Sequence, residues 1–260
     1  MLILHLFKKD DRMMKREASV RIQTSVLNGV EKKVLVWLAQ RQPRWMTSDI
    51  LTFIGTAGAI IVAAGFILAG TENIGYLWLS SLGFVINWYG DSLDGTLARV
   101  RNRQRPMYGY YLDHTVDAIN EVIMFVGAGL SGMVHFPLAM SILVVYLMLT
   151  INVSVNAHLK KEFRLTYAKL GPTEFRIIMI AVNTVLMYVA PVREFSWMAS
   201  VAGREITFSA LDTVALAILV ILVLIYLVTV IRDAMEYDRL DPMPEPDGEK
   251  TETISSEQMR

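Results

Sequence analysis

Apolar and polar positions alternate along this chain on the scale of whole membrane spans. Six long apolar runs lie at about 50–70, 73–91, 111–132, 136–158, 172–191 and 208–231. Each approaches the ~20 residues that a helix needs to cross a bilayer. Asp113, Asp117, Asn120 and Glu121 interrupt the run at 111–132. An Asp near the bilayer centre costs on the order of 3 kcal/mol on insertion scales, so these groups are expected to face protein and not lipid. Ahead of the first run, Ile22, Val26, Val30, Val34 and Trp37 fall at helical spacing between Ala18 and Gln40, with Glu31, Lys32 and Lys33 on other faces. The pattern predicts an amphipathic helix, lying on a membrane surface or packed on a protein one. Pro43 ends it, and Arg44-Trp45 reads as an interfacial anchor. Beyond Tyr237 the chain is Pro-rich, acidic and free of aromatic residues, which predicts a disordered tail. The fold class expected is all-α: a polytopic membrane helix bundle of six transmembrane helices with an N-terminal amphipathic interfacial helix. Its parts are an N-terminal segment 1–49, a membrane domain 50–232 and a tail 238–260.

Charge sets the orientation. Of 25 Lys and Arg, ten precede residue 50, four lie in 99–105, five in 160–176 and four after 231. Arg193 and Arg204 remain for the opposite side, where the turns near 71–73 and 133–136 carry none. Six spans with both termini and the 91–117 stretch in the cytoplasm satisfy the positive-inside rule; five or seven spans would scramble it. A bacterial-type inner membrane is the expected location, with the 192–207 loop reachable from outside. With 53% hydrophobic residues and a mean hydropathy of +0.40, the chain is too apolar for an ordinary soluble domain. Zero formal net charge supplies no argument for nucleic acid, and none is expected as a partner. The absence of cysteine excludes disulfides, a thiolate zinc site and thiol catalysis. Residues 1–17 hold too short an apolar run for a secretory signal, with charges after it instead of before it.

The candidate chemistry lies between the second and third runs, in GDSLDGTLARVRNRQRPMYGYYLDHTVD. Asp91 and Asp94 are spaced i,i+3, and Asp113 and Asp117 i,i+4, so on helical flanks each pair shares a face. Arg99, Arg101, Arg103, Arg105, Pro106 and Gly109 form a basic turn between them. Four converging carboxylates repel one another unless a cation lies among them. Oxygen ligands without His or Cys point to a hard ion, Mg²⁺ or Mn²⁺. Two such ions would clamp a pyrophosphate and stabilise attacking and leaving oxygens. Arg99 and the arginines after it would hold a nucleotide phosphate, although a basic cytoplasmic turn is also what topology alone demands. Gly95 and Ala98, small residues one turn past the first pair, would let a ligand approach the helix.

These residues carry a resemblance. Asp91-x2-Asp94-Gly95-x2-Ala98-Arg99, followed by Gly109-x3-Asp113-x3-Asp117, resembles the signature of the CDP-alcohol phosphotransferase (CDP-alcohol phosphatidyltransferase) family. The family pattern has eight residues between its Arg and second Gly; this chain has nine, Val100 to Tyr108. The resemblance implies a membrane phospholipid-synthesis enzyme in which a hydroxyl attacks a CDP-linked donor, CMP leaves and a phosphodiester forms. It makes Asp91, Asp94 and Asp113 metal ligands, and Asp117 a ligand and the general base. Gly95, Ala98, Arg99 and Gly109 become donor-binding residues. CDP-diacylglycerol is the expected donor, with a small polar alcohol or its phosphate as acceptor. Diacylglycerol accepting from a CDP-linked amino alcohol is the converse. Membrane lipids are the other partners, and a homodimer is one assembly open to the protein.

A second basic group comprises His158, Lys160, Lys161, Arg164 and Lys169, followed by Glu174 and Arg176 at the start of the fifth run. Lys161, Arg164, Glu174 and Arg176 are candidates for the acceptor's phosphate or polar head; a positive-inside loop with a helix-end ion pair is the plainer reading. Asn87 and Glu121 stand one turn outside the acid pairs and are expected to support the ligands. Asn152, Asn156 and Asn183 read as helix–helix hydrogen bonding. Two rival activities share part of the pattern. An intramembrane prenyltransferase also uses Asp pairs with Mg²⁺, but lacks Asp-Gly-x2-Ala-Arg. A cation transporter would more often break its helices near the midplane.

Overall fold

The structure, a computed structural model, describes residues 20–22, 28–160, 162–164, 172–201 and 203–243. Lys161, Lys169 and the tail from 244 onward lie outside the described residues, as do 1–19, 23–27, 165–171 and 202. The described residues form eight α-helices: α1 Asn28–Arg41, α2 Ser48–Thr71, α3 Leu77–Val100, α4 Pro106–Leu130, α5 Phe136–Lys160, α6 Pro172–Tyr188, the short α7 Ala190–Arg193 and α8 Ala210–Leu240. Three of them, α2, α5 and α8, are long and apolar enough to cross a membrane.

The expectation of an all-α chain needs correction. Ser196–Val201 (β3) and Arg204–Ser209 (β4) form an antiparallel hairpin, closed at Gly203 with φ +76°. Trp197 and Phe208 stack across it with ring centroids 4.9 Å apart, an aromatic cross-strand pair that favours the ladder. Val20–Ile22 (β1) pairs in parallel with Glu162–Arg164 (β2), so the helix expected from Ala18 begins at Asn28 instead. The expected tail also starts later than 238: α8 continues to Leu240, and Asp241, the residue before Pro242, leaves the helix with φ −133° and ψ 70°.

The N-terminal helix packs by another stripe than the one its sequence suggests. Leu35 and Ala39 of α1 are buried against Leu93 and Leu97 of α3, while Val30, Val34 and Trp37 stay exposed. Ile22 lies in β1, and Val26 lies outside the described residues. Arg101, from the basic turn, donates to the carbonyls of Gln42, Pro43 and Met46 and pins the α1–α2 corner to the end of α3.

The centre of the bundle is the α2–α3 pair, whose contact is the most extensive among the described elements. Glycine makes it close. A Cβ on Gly58 would overlap the backbone nitrogen of Asn87, one on Gly65 that of Ser80, and one on Gly90 that of Gly55. Small residues at helix interfaces let backbones approach, which substitutes for the hydrophobic drive that lipid removes. On the far side of α2, Gly127 of α4 lies against Ala63. Thus α3 and α4 each pack on α2 instead of on each other. α6 packs on the other flank of α3, and α5 joins α4 to α8.

Candidate active site

Because α2 holds α3 and α4 side by side, the end of α3 and the start of α4 leave a cleft between them, closed at the tip by residues 101–105. Asn102 turns the chain there with φ 52°, a left-handed conformation that Asn tolerates better than most residues. The amide of Arg103 donates back to the carbonyl of Ala98 at 2.9 Å, and Pro106 opens α4, where its missing N–H is no loss. Both acid pairs therefore sit in helix, as their spacing requires.

Asp91, Asp113 and Asp117 converge in this cleft, each offering a carboxylate oxygen within 4.8 Å of the others. Asp94 stands beside them but is engaged elsewhere. Its Oδ2 accepts from Thr52 Oγ1 of α2 at 2.7 Å, its Oδ1 accepts from the amide of Gly95, and its carbonyl accepts from Ser48 Oγ at 2.9 Å. The structure thus brings together three of the four predicted ligands, with the fourth held on the α2 wall.

The other predicted residues divide in the same way. Gly95 and Ala98 are half-buried, and Arg99 is exposed with its Nη2 on Thr96 Oγ1 at 2.9 Å. Gly109 is exposed, and a Cβ there would meet nothing within 4 Å. Glu174 is buried in the first turn of α6. Arg176 is drawn into the acid site itself: its Nη2 lies 2.5 Å from Asp91 Oδ2, and its Nε donates to Asn87 Oδ1 at 2.9 Å. Asn87, fully buried, is fixed in turn by donating to the carbonyl of Gly55 at 2.9 Å. Glu121, one turn past Asp117, lies within electrostatic reach of Arg176, Asp91 and Tyr146 of α5. Arg176 Nη1 and Glu121 Oε2 are buried without a hydrogen-bond partner. Arg164 is in β2, and Lys161 lies outside the described residues, so neither has a described side-chain place at the site.

The sequence reading did not single out Thr52, Ser48 or Tyr146. A faint signal for the first two exists: Ser48, Thr52 and Thr56 recur every four residues along an otherwise apolar helix. Nothing local marks Tyr146 among the apolar residues around it.

The donor set fits a hard divalent cation. Three carboxylates at this separation repel strongly in a partly desolvated cleft, about 4 kcal/mol per pair at 4 Å and an effective dielectric of 20. Arg176 offsets a single charge, and no nitrogen or sulfur ligand is present in the cluster. The cluster can hold a metal ion.

A model of the CDP-alcohol phosphatidyltransferase family matches residues 45–204, from the turn before α2 to the β3–β4 hairpin. The chain belongs to the CDP-alcohol phosphatidyltransferase family. This is a family of enzymes, and with three helices apolar enough to cross a bilayer the protein is an integral membrane member of it. It is similar to the phosphatidylinositol phosphate synthase of Cutibacterium acnes (strain DSM 16379 / KPA171202), with 33% identity over 85 residues, covering 33% of this chain and 38% of that protein. It is also similar to cholinephosphotransferase 1 of Homo sapiens, with 34% identity over 101 residues, 36% of this chain and 24% of that protein, and to the same enzyme of Mus musculus at 34%. The matched segments span well under half the length of these relatives. Family membership sets aside the prenyltransferase and transporter readings.

Proposed function

We propose that this protein transfers a phosphatidyl group from CDP-diacylglycerol to a hydroxyl of a small polar alcohol or its phosphate, such as glycerol phosphate, inositol phosphate or serine, releasing CMP. The observation that carries the reading is the convergence of Asp91, Asp113 and Asp117 between α3 and α4. Two Mg²⁺ or Mn²⁺ ions, held by Asp91, Asp94, Asp113 and Asp117, would neutralise charge on the pyrophosphate and its leaving oxygen. Gly95, Ala98 and Gly109 leave room for the donor along the cleft, and Arg99 lies at its rim to meet a nucleotide phosphate. Asp117 accepts the proton of the attacking hydroxyl as the new oxygen–phosphorus bond forms and the bond to CMP breaks. Arg176 keeps a buried Nη1 donor without a partner, which suits an anionic group on the acceptor. Glu174, Lys161 and Arg164 are candidates for the same polar head.

The membrane arrangement proposed is six spans, α2 to α6 and α8, within a membrane domain 50–232. The segment 1–49 and the tail beyond α8 are cytoplasmic, as is the cleft. The exposed Val30, Val34 and Trp37 of α1 suit an interfacial helix. The location is a bacterial-type inner membrane, and a homodimer is compatible with the exposed apolar helix faces.

The likeness to cholinephosphotransferases supports a second reading, in which diacylglycerol is the acceptor and a CDP-linked amino alcohol the donor. Incubating the purified protein with CDP-diacylglycerol and a panel of polar acceptors, and separately with CDP-choline or CDP-ethanolamine and diacylglycerol, separates the two by mass spectrometry of the lipids formed. Phosphatidyl products in the first set, abolished by a chelator, are expected. Products in the second set alone would overturn the donor assignment, and full turnover in excess chelator would overturn the metal reading.

A further inference from the structure

We propose that Glu31, in the surface helix α1, is a positioning residue that seats α6 on α3 and so holds Arg176 against Asp91. The inference rests on the reading of the carboxylate cluster as a metal site.

Glu31 Oε1 accepts two hydrogen bonds from two different helices: Trp88 Nε1 of α3 at 2.9 Å and Thr173 Oγ1 of α6 at 2.5 Å. Trp88 stands three residues before Asp91, and Thr173 three residues before Arg176. One carboxylate oxygen therefore ties both helices about a turn from the point where they exchange the Arg176–Asp91 ion pair. α1 is a firm post for this bond. Leu35 and Ala39 bury it against α3, Gln42 Nε2 donates to Tyr89 OH at 2.8 Å, and Arg101 clasps the carbonyls at its end. Further along, α6 is fastened to α3 by Asn183, which donates to Ser81 Oγ at 3.1 Å and Ser80 Oγ at 3.4 Å; in its first turn, Thr173 ties it to α1 through Glu31.

The consequence falls on the cation site. A guanidinium held at Asp91 Oδ2 repels a dication that needs the same carboxylate. Loosening α6 at Thr173 lets Arg176 withdraw, so metal should bind more tightly, not less. A carboxylate is not required at position 31: both donors are neutral, and the carbonyl oxygen of glutamine accepts the same two bonds.

The test is Mn²⁺ alone, titrated into purified full-length protein in detergent and followed through the electron paramagnetic signal of the free ion. Glu31→Ala and Thr173→Val are expected to bind Mn²⁺ about three- to ten-fold more tightly than the parent. Arg176→Gln should tighten binding at least as much, while Glu31→Gln keeps the parental affinity. A purely structural role for Glu31 lowers thermal stability but does not tighten metal binding. Thr173→Val leaves the Trp88 bond intact, so it reports even where Glu31→Ala does not fold. Unchanged or weaker Mn²⁺ binding in Thr173→Val or Arg176→Gln overturns the inference. A parent protein that binds no Mn²⁺ overturns the site reading beneath it.

Discussion

The α2–α3 wall and the α5–α8 wall solve the same problem, holding two long apolar helices together, by opposite means. In the first, backbones touch: Gly55, Gly58 and Gly65 of α2 interlock with Asn87, Gly90 and Ser80 of α3. In the second, α8 is mostly exposed along its length, and polar pins fasten it near its ends. At one end Asp212 accepts from the amide of His135 at 2.7 Å and faces its Nδ1 at 3.0 Å, while also capping its own helix through Ser209. At the other, the buried Asp233 accepts from Asn152 at 3.0 Å and Asn156 at 2.7 Å, and Tyr237 OH donates to Asn156. The two aspartates are separated by about 31 Å of helix, close to the thickness of a bilayer core. The wall bearing Asp91 and Asp94 is closely packed at several levels; in the outer wall these polar contacts lie near the ends of α8, whose middle is largely exposed.

The sharpest way to break this contrast is to insert volume into the inner wall. Gly58→Leu forces α2 off α3 at Asn87. It is expected to abolish monodisperse protein on size exclusion in detergent, and with it all activity. Next come the acids. Asp117→Asn should lower turnover by roughly 10²–10⁴-fold, the span associated with general base catalysis, and weaken donor binding much less. Asp91→Asn and Asp94→Asn should weaken metal and nucleotide binding themselves, read by calorimetric titration of CDP-diacylglycerol with Mg²⁺ present. Donor binding lost as completely in Asp117→Asn as in Asp91→Asn would reduce all four acids to ligands.

In the outer wall the effects shrink. Asp233→Leu leaves the amides of Asn152 and Asn156 without their acceptor, at about 1–3 kcal/mol. Thermal unfolding should come a few degrees earlier, with Mn²⁺ affinity unchanged because the cleft lies on other helices. Between the pins, Val220→Ala on the exposed face should stay within about 0.5 kcal/mol of the parent. A large loss there would mean that protein, not lipid, covers α8.

Period and composition laid an apolar run on each long helix among the described residues, but α3 runs on to Val100 and α8 to Leu240, past the ends of their runs, because polar residues there pair with protein and continue the helix. The same local rules placed Asp91 with Asp94 and Asp113 with Asp117, since i,i+3 and i,i+4 spacing carries its own geometry. The β3–β4 hairpin was legible in the alternation of Arg-Glu-Ile-Thr-Phe-Ser after Gly203, but a short hairpin between two long helices is easily read as loop. What tertiary structure alone decided are the partners. Asp94 turns to Thr52, 42 residues away; Arg176 reaches Asp91 across 85; Glu31 meets Thr173 across 142. The packed face of α1 belongs with these, since its exposed stripe is as apolar as the buried one and only the surface of α3 chooses between them. Residues so distant in the chain share no period, and their meeting depends on how α1, α2 and α6 each pack on α3.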